Sequence, residues 1–392
     1  MPSTAAKPAP LPPPPSKRRS IGDRFGDFWE RITEGMEIDQ LWSQFKEEAK
    51  FGYRLYSKDL PAHAAEAGRK QRFLAAASGF FWAVMNKLSP AKRLLLLVSV
   101  IFLIMPGFRV EGGNGTSLNG DALHVWGGIG LLLLLLMEIA DRITMKRDLE
   151  IAREIQTWLV PERAPDVPGL EIAFFNRPAN TVAGDYYDVF AREANSGGAG
   201  KYLIAVADVA GKSLPAALLM ATFQASLKTQ SSSSCDLANL ASCVNRYACE
   251  HSRNGQRFTT AVIAEFDPAT RSLEYVNAGH NSPLLLRRSG ELVRLEVGGL
   301  PFGIMREATH ASARLALEPG DTLLIFTDGL VEAVNERGEE YEEERTIAQL
   351  RTAPPAESAT AMLGALTADL QRFTGMARQH DDITCVLIRC TQ

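Results

Sequence analysis

Hydrophobic and polar positions divide the chain into three textures. Through the first 92 residues, apolar side chains recur at helical spacing (Trp29, Ile32, Met36, Leu41, Phe45, Phe51 and Leu55) and predict an amphipathic helical region over 22–92. Two uncharged apolar blocks come next, at 94–108 and 122–137, of 15 and 16 residues. Each is slightly shorter than the roughly 20 residues that cross a bilayer. Lys92, Arg93 and Arg109 can snorkel to extend the first, and the second can run on through Glu138 and Ile139 to Ala140. Leucine fills 94–97 and 131–136, leaving none of the polar face that a soluble helix keeps. The pattern predicts a transmembrane hairpin within 93–140, with spans near 94–108 and 122–140.

The second block passes without a break into a further helical stripe. Met145, Leu149, Ala152, Ile155 and Leu159 continue one helical face as far as Pro161 and Pro165, which predicts a linker helix over 141–161. Neither Gly nor Pro interrupts 131–160, so about 45 Å of unbroken helix is expected there. Beyond Gly169 the period shortens. Runs of strand character at 170–175, 202–206, 260–266, 273–276, 284–286, 292–295, 322–326 and 383–388 are separated by turn residues. Helical patterns lie between them at 214–228, 237–251, 342–350 and 358–373. Consecutive strands joined by turns favour antiparallel pairing, with helices covering the sheets. The expectation is an α+β domain over 168–390.

Charge sharpens the division. The first 93 residues hold 16 Lys/Arg against 10 Asp/Glu, and the remainder 26 against 36. A basic front suits an anionic membrane surface. An acidic remainder argues against nucleic acid, whose binding rests on neutralising phosphates. Lys87, Lys92 and Arg93 precede the first apolar block, and Arg142, Lys146 and Arg147 lie beyond the second, while the loop 109–121 carries a single basic residue. The positive-inside rule then places both ends in the cytoplasm of a multi-pass inner (plasma) membrane protein. Residues 1–21 are rich in Pro and Ala, lack a secretory layout and read as a disordered tail. The cysteines Cys235, Cys243, Cys249, Cys385 and Cys390 form no CxxC pair and read as reduced cytosolic thiols.

Candidate chemistry lies in four acidic motifs: Gly184-Asp185-Tyr186-Tyr187-Asp188, Asp208-Val209-Ala210-Gly211-Lys212, Thr327-Asp328-Gly329 and His380-Asp381-Asp382. Each carboxylate sits at the end of an apolar run, beside glycine or another acid. Acids at strand ends can converge at one edge of a sheet. Hard oxygen ligands without His or Cys suit Mg²⁺ or Mn²⁺ rather than zinc, and a neighbouring glycine lets backbone approach an ion or its waters. One Asp-Gly after a strand is an ordinary turn; four such sites in one domain are harder to dismiss.

The stretches AREIQTWLVP, GDYYD, DVAGKSLPAALLM, NAGHN, GLPFG, FTDGLVEA and HDDIT, in that order over 152–389, resemble the SpoIIE/RsbU branch of the metal-dependent (PPM-type) protein serine/threonine phosphatases. The resemblance implies two antiparallel β-sheets sandwiched between helices, with two Mn²⁺ or Mg²⁺ ions at one end. It implies that Asp208 bridges both ions, that Asp185 and the Val209 carbonyl serve one, and that Asp328 and Asp381 hold the other. Asp208 and Asp328 are then the catalytic residues, supported by Gly184, Asp188, Gly211, Gly329 and Asp382. The implied activity is hydrolysis of phosphoserine or phosphothreonine on a partner protein, in this branch an anti-sigma-factor antagonist, by a metal-activated water. Relatives often dimerise through the linker helix, which implies a homodimer here.

Two departures stand out. Ala210 occupies the position where eukaryotic relatives carry a His general acid, with Lys212 two positions on, and no residue matches their phosphate-binding Arg. His280 reads as a structural hydrogen-bonding residue, His380 equally as a loop or a site residue, and 339–345 as a solvated helix start. Two other functions compete. A catalytically weak signalling module of the same fold would be marked by lost acids, and a membrane-tethered nucleotide cyclase would need purine and phosphate contacts not found in the sequence.

Overall fold

The computed structural model describes residues 82, 85, 88–105, 109–111, 117–119 and 121–391, except 193–199, 212, 233–234, 253–256, 353 and 355–356. The tail expected over 1–21, most of the helical region over 22–92, and Lys212 lie outside the described residues. The chain forms two units, Met1–Glu138 and Ile139–Gln392.

In the first unit, helix α1 (Pro90–Ile104) is followed by a short antiparallel pair, β1 (Arg109–Glu111) and β2 (Ser117–Asn119), and then by helix α2 (Asp121–Thr157), which continues into the second unit. Pro90 opens α1, where its missing N–H costs nothing. Small residues bring the two helices together. A side chain at Gly130 would strike the Ser99 hydroxyl, and one at Gly127 would strike the Ser99 carbonyl and Leu103. Ser99 is correspondingly buried, in the manner of helices that pack in lipid. Lys92 pairs with Glu138 at 3.0 Å. Outward of this seam, Leu94, Ile101, Ile104, Trp126, Ile129 and Leu132 are exposed. Among the described residues, one helix is long and apolar enough to cross a membrane, over Ala122–Thr157. The 15 residues of α1 rise about 22 Å, short of a core of about 30 Å. The two expected spans are therefore one helix of spanning length and a shorter companion.

The second unit holds β3 (Leu170–Arg177), β4 (Tyr186–Arg192), β5 (Lys201–Val209), α3 (Leu214–Ser231), α4 (Leu237–His251), β6 (Thr259–Asp267), β7 (Ser272–Ala278), β8 (Leu284–Leu286), β9 (Leu292–Arg294), β10 (Gly298–Gly299), β11 (Ala313–Ala316), β12 (Thr322–Phe326), α5 (Asp328–Val331), α6 (Glu343–Thr352), α7 (Ala359–Thr374) and β13 (Ile383–Cys390). One sheet runs β10-β7-β6-β5-β4, with β11 also on β7; the other runs β3-β13-β12-β8-β9. All pairings are antiparallel except β10 with β7. Strand alternation sorts the core into three layers. Ile204, Val206, Ile325, Val386 and Ile388 fill the space between the sheets. Leu203, Ala205 and Ala207 face Met220, Phe223 and Leu240 of α3 and α4. Leu324, Phe326, Cys385 and Leu387 face α6 and α7. The result is the expected sandwich of helix, sheet, sheet and helix.

The sequence pattern misses β4 because Asp188 and Arg192 interrupt its apolar run. Both charges are buried and paired: Asp188 meets Lys228 at 2.8 Å, and Arg192 meets Glu265 at 2.6 Å. Arg192 also donates to the carbonyls of Ser231 and Cys235, satisfying a backbone oxygen at the end of α3. The linker helix stops at Thr157, short of the expected end at 161. There Trp158 and Leu159 donate to the carbonyls three residues back, tightening the turn before Pro161.

Glu265 serves both Arg192 and Lys201, each at 2.6 Å. Replacing it with alanine strands a buried guanidinium. Glu265→Ala is expected to cost about 3–5 kcal/mol, read as a lower midpoint in denaturant melts of the full chain. A loss below about 1 kcal/mol would mean that the pair is not structural.

Candidate functional site

Strand parity delivers the site. Ile204 and Val206 point between the sheets, so Asp208 comes after them at the rim of the same gap. On the facing sheet, Ile325 points inward with Val386 and Ile388, which brings Thr327 and Thr384 to the same end. There the Thr327 hydroxyl donates to Asp185 Oδ2 at 2.9 Å and accepts from the Thr384 N–H at 2.9 Å. Asp185, with 3% of its surface exposed, enters from the loop before β4.

Burial and like charge govern these acids. Burial holds the Asp185 carboxyl well above the usual range, aided by the charges of Asp208 and Asp382 and opposed by its threonine hydrogen bonds. Asp208 is pushed up to about 7, first by burial and then by Asp328, Asp381 and Asp382, while a hydrogen bond with Asp185 lowers it. All five acids thus share one field. Among the described residues, no three His, Cys, Asp or Glu side chains close around a single ligand point. The donors nevertheless fit a divalent ion in kind, being hard oxygens, and in charge, since a cation would offset the repulsion that raises Asp208 and Asp185. Asp185, Asp208, Asp328 and Asp381 could hold it, with the Val209 carbonyl beside them. Gly184 lies against this edge: a Cβ there would stand 3.2 Å from the Val209 oxygen and 3.8 Å from Asp208 Oδ1.

The supporting residues divide. Asp382 accepts from the N–H groups of Ala179 and Gly184 at 2.7 and 2.6 Å, so it shapes the loop that carries Asp185. Its own N–H donates to Asp381 Oδ1 at 3.0 Å, which orients the neighbouring acid. Gly329 must be glycine, because any Cβ would collide with the Asp382 carbonyl. Gly211 comes after β5 with φ +125°. Asp188 lies on β4 opposite Ala205, bonded to the Tyr186 hydroxyl and Lys228. It supports packing rather than joining the acids around Asp208.

His280 is structural, as its turn suggests. It is buried, its Nδ1 lies 3.0 Å from the Thr260 hydroxyl, and burial lowers it to about 4. Thr260 pairs with Asp208 across the sheet. A neutral ring therefore props the strand under the central acid. His380 lines a cavity beside Asp381. The expected helix start over 339–345 is partly turn, with α6 beginning at Glu343. Sequence reading missed Thr327 and Gln156. The Gln156 side chain donates to the Ala183 carbonyl at 2.7 Å and accepts from its N–H at 3.0 Å. Both residues stood inside motifs quoted for their neighbours, and a hydrogen-bonding amide leaves no mark on an apolar stripe.

The raised acids set a pH dependence. Between 3.8, the ordinary aspartate value, and about 7, folded Asp208 binds protons that the unfolded chain releases. Stability of the cation-free protein therefore falls as the pH rises through this window, by up to about 1.4 kcal/mol per unit for one such group. Thermal melts in chelator should rise between pH 8 and pH 6, and Asp208→Asn should flatten that slope. A melting point that falls on acidification over this window would refute the assignment.

Comparison with known proteins places this geometry. Residues 198–391 match the family model described as Stage II sporulation protein E (SpoIIE). Phosphoserine phosphatase RsbU of Bacillus subtilis is 27% identical over 246 residues, which cover 62% of this chain and 70% of RsbU. Phosphoserine phosphatase RsbP of the same organism is 24% identical over 194 residues, 49% of this chain and 47% of RsbP, so the chain spans about half of that relative. The SiaA-PP2C domain of Pseudomonas aeruginosa superimposes with a TM-score of 0.54 at 23% identity, covering 64% of this chain and 98% of that domain. This last likeness concerns the fold, and it agrees with the sandwich of two sheets between helices. The C-terminal domain of this chain belongs to the SpoIIE-type, PP2C-like protein serine/threonine phosphatases.

Proposed function

We propose that the chain is a membrane-anchored, Mn²⁺- or Mg²⁺-dependent phosphatase that hydrolyses phosphoserine or phosphothreonine on a partner protein, such as an anti-sigma-factor antagonist. The observation that carries this reading is the convergence of Asp185, Asp208, Asp328 and Asp381 in one field at the end of the sandwich. A pair of divalent ions, when bound, supplies an activated water and neutralises the phosphate oxygens. Asp208, whose carboxyl interacts with Asp185, Asp328 and Asp381, would be the acid most central to holding such ions. Thr327 and Asp382 hold the acids' geometry without needing to touch substrate. Ala210 carries no side-chain proton and its N–H is taken by the Phe258 carbonyl, so the leaving oxygen draws its proton from another source.

Asp208→Asn in the full chain should cut Mn²⁺-dependent release of phosphate from a phosphoserine peptide by about a thousandfold or more, with the melting transition retained. Full Mn²⁺-dependent turnover in that folded variant would sink the two-ion reading. Wild-type protein that releases no phosphate with Mn²⁺ would favour a binding module of the same fold.

Anchoring is supported by the spanning length of α2 and by the outward leucines of both helices. The flanking Lys and Arg argue for both chain ends in the cytoplasm. Below the apolar segment, Met145, Ile151 and Ile155 remain exposed on α2, a face that a second copy would cover. Single cysteines introduced at Ser358, Asn114 and Met145, in a background without the native exposed thiols, test both points in intact cells. Position 114 should react with an impermeant reagent, position 358 should not, and Met145→Cys should cross-link two copies. Labelling at 358 but not 114 would reverse the topology, and absence of cross-linking would remove the dimer.

A further inference from the structure

A cavity of about 190 Å³ is walled by Arg177, Gly329, Glu332, Arg378, His380, Asp381 and their neighbours. Neither Asp185 nor Asp208 lines it, so it adjoins the acid cluster without being its centre. Its position is fixed by Gln379, whose side-chain amide donates to the carbonyls of Arg177 and Asp381, each at 2.7 Å. Arg177 closes β3 opposite Ile383, and its Nε is buried without a hydrogen-bond partner. Arg378 lines the cavity from an exposed position, with no carboxylate paired to it among the described residues.

These two arginines differ from others in the domain. Arg192, Arg287, Arg294, Arg314 and Arg345 each hold a carboxylate. A buried, unpaired guanidinium nitrogen is costly unless a ligand completes it, and guanidinium groups favour carboxylates and phosphates. The floor is partly apolar, with Ala333, Val334 and Ile383, and suits the stem of a side chain better than a bare inorganic ion. We propose that this cavity receives an acidic side chain of the phosphoprotein, adjacent to its phosphorylated residue, with Arg177 and Arg378 in its wall. The proposal rests on the phosphatase reading and adds a substrate preference to it: a phosphoserine or phosphothreonine flanked by Asp or Glu.

The test uses the full chain in detergent with Mn²⁺ and three phosphoserine peptides that differ only in flanking Glu, Ala or Lys, together with p-nitrophenyl phosphate. Wild type should favour the Glu peptide over the Ala peptide by about tenfold in kcat/KM, mostly through KM, as one or two part-buried ion pairs would give. Arg177→Gln and Arg378→Gln should bring that ratio toward one, and Arg378→Glu should turn the preference toward the Lys peptide. Equal ratios in wild type and variants would overturn the proposal. So would a parallel loss on all four substrates, which would place Arg177 on the phosphoryl group itself. A fluorescent, unphosphorylated Glu peptide separates the two readings. Arginine-dependent binding in a protein that hydrolyses nothing would keep the cavity's role and remove the phosphatase reading. Hydrolysis without flank preference or arginine-dependent binding would do the reverse.

Discussion

Like charge confined at the end of the inter-sheet gap is the constraint on which this domain turns. Buried Asp185 and half-buried Asp208 lie close enough to hydrogen-bond, and three further acids add to the field around them. Such a cluster would push its strands apart if the surroundings did not answer it. The answer is distributed over both sheets: Thr327 and Thr384 from one, Thr260 and His280 beneath the other, and two N–H groups clasped by Asp382. The sandwich brings the charges together, and a divalent ion is the natural partner for what remains uncompensated.

Much of this architecture is legible in the sequence because strands and acids leave different marks. The strands at 284–286 and 322–326 and the helix at 237–251 have the ends that the pattern predicts, since short continuous apolar runs and an Asp cap define them locally. The acidic motifs stand out because polar residues at the ends of apolar runs are conspicuous. The family resemblance assigns them to one site, and in the structure their charges act on one another. β4 is hidden, because the charges that break its pattern are neutralised by Lys228 and Glu265, residues remote from them in sequence. No local rule anticipates a partner at that distance.

The first unit shows the limit of counting apolar residues. Both blocks look equivalent in the sequence, yet α2 runs through its block and on for several turns, whereas α1 ends at Ile104. Glycines at 127 and 130 belong to one helix, and the serine they receive belongs to the other. Leucine count cannot report that complementarity; it emerges when two particular faces meet.

Gln156 invites a mechanical view of α2. Its amide meets the Ala183 backbone through one donated and one accepted bond, and Ala183 directly precedes Gly184 and Asp185. A hydrogen bond loses most of its value within about half an ångström of extra length, whereas one residue of helical slip moves an atom by about 1.5 Å. The contact therefore cannot stretch gradually with the helix. A slip of one residue in α2 would break this contact rather than lengthen it, and the loop bearing the buried acid would lose its tie to the helix.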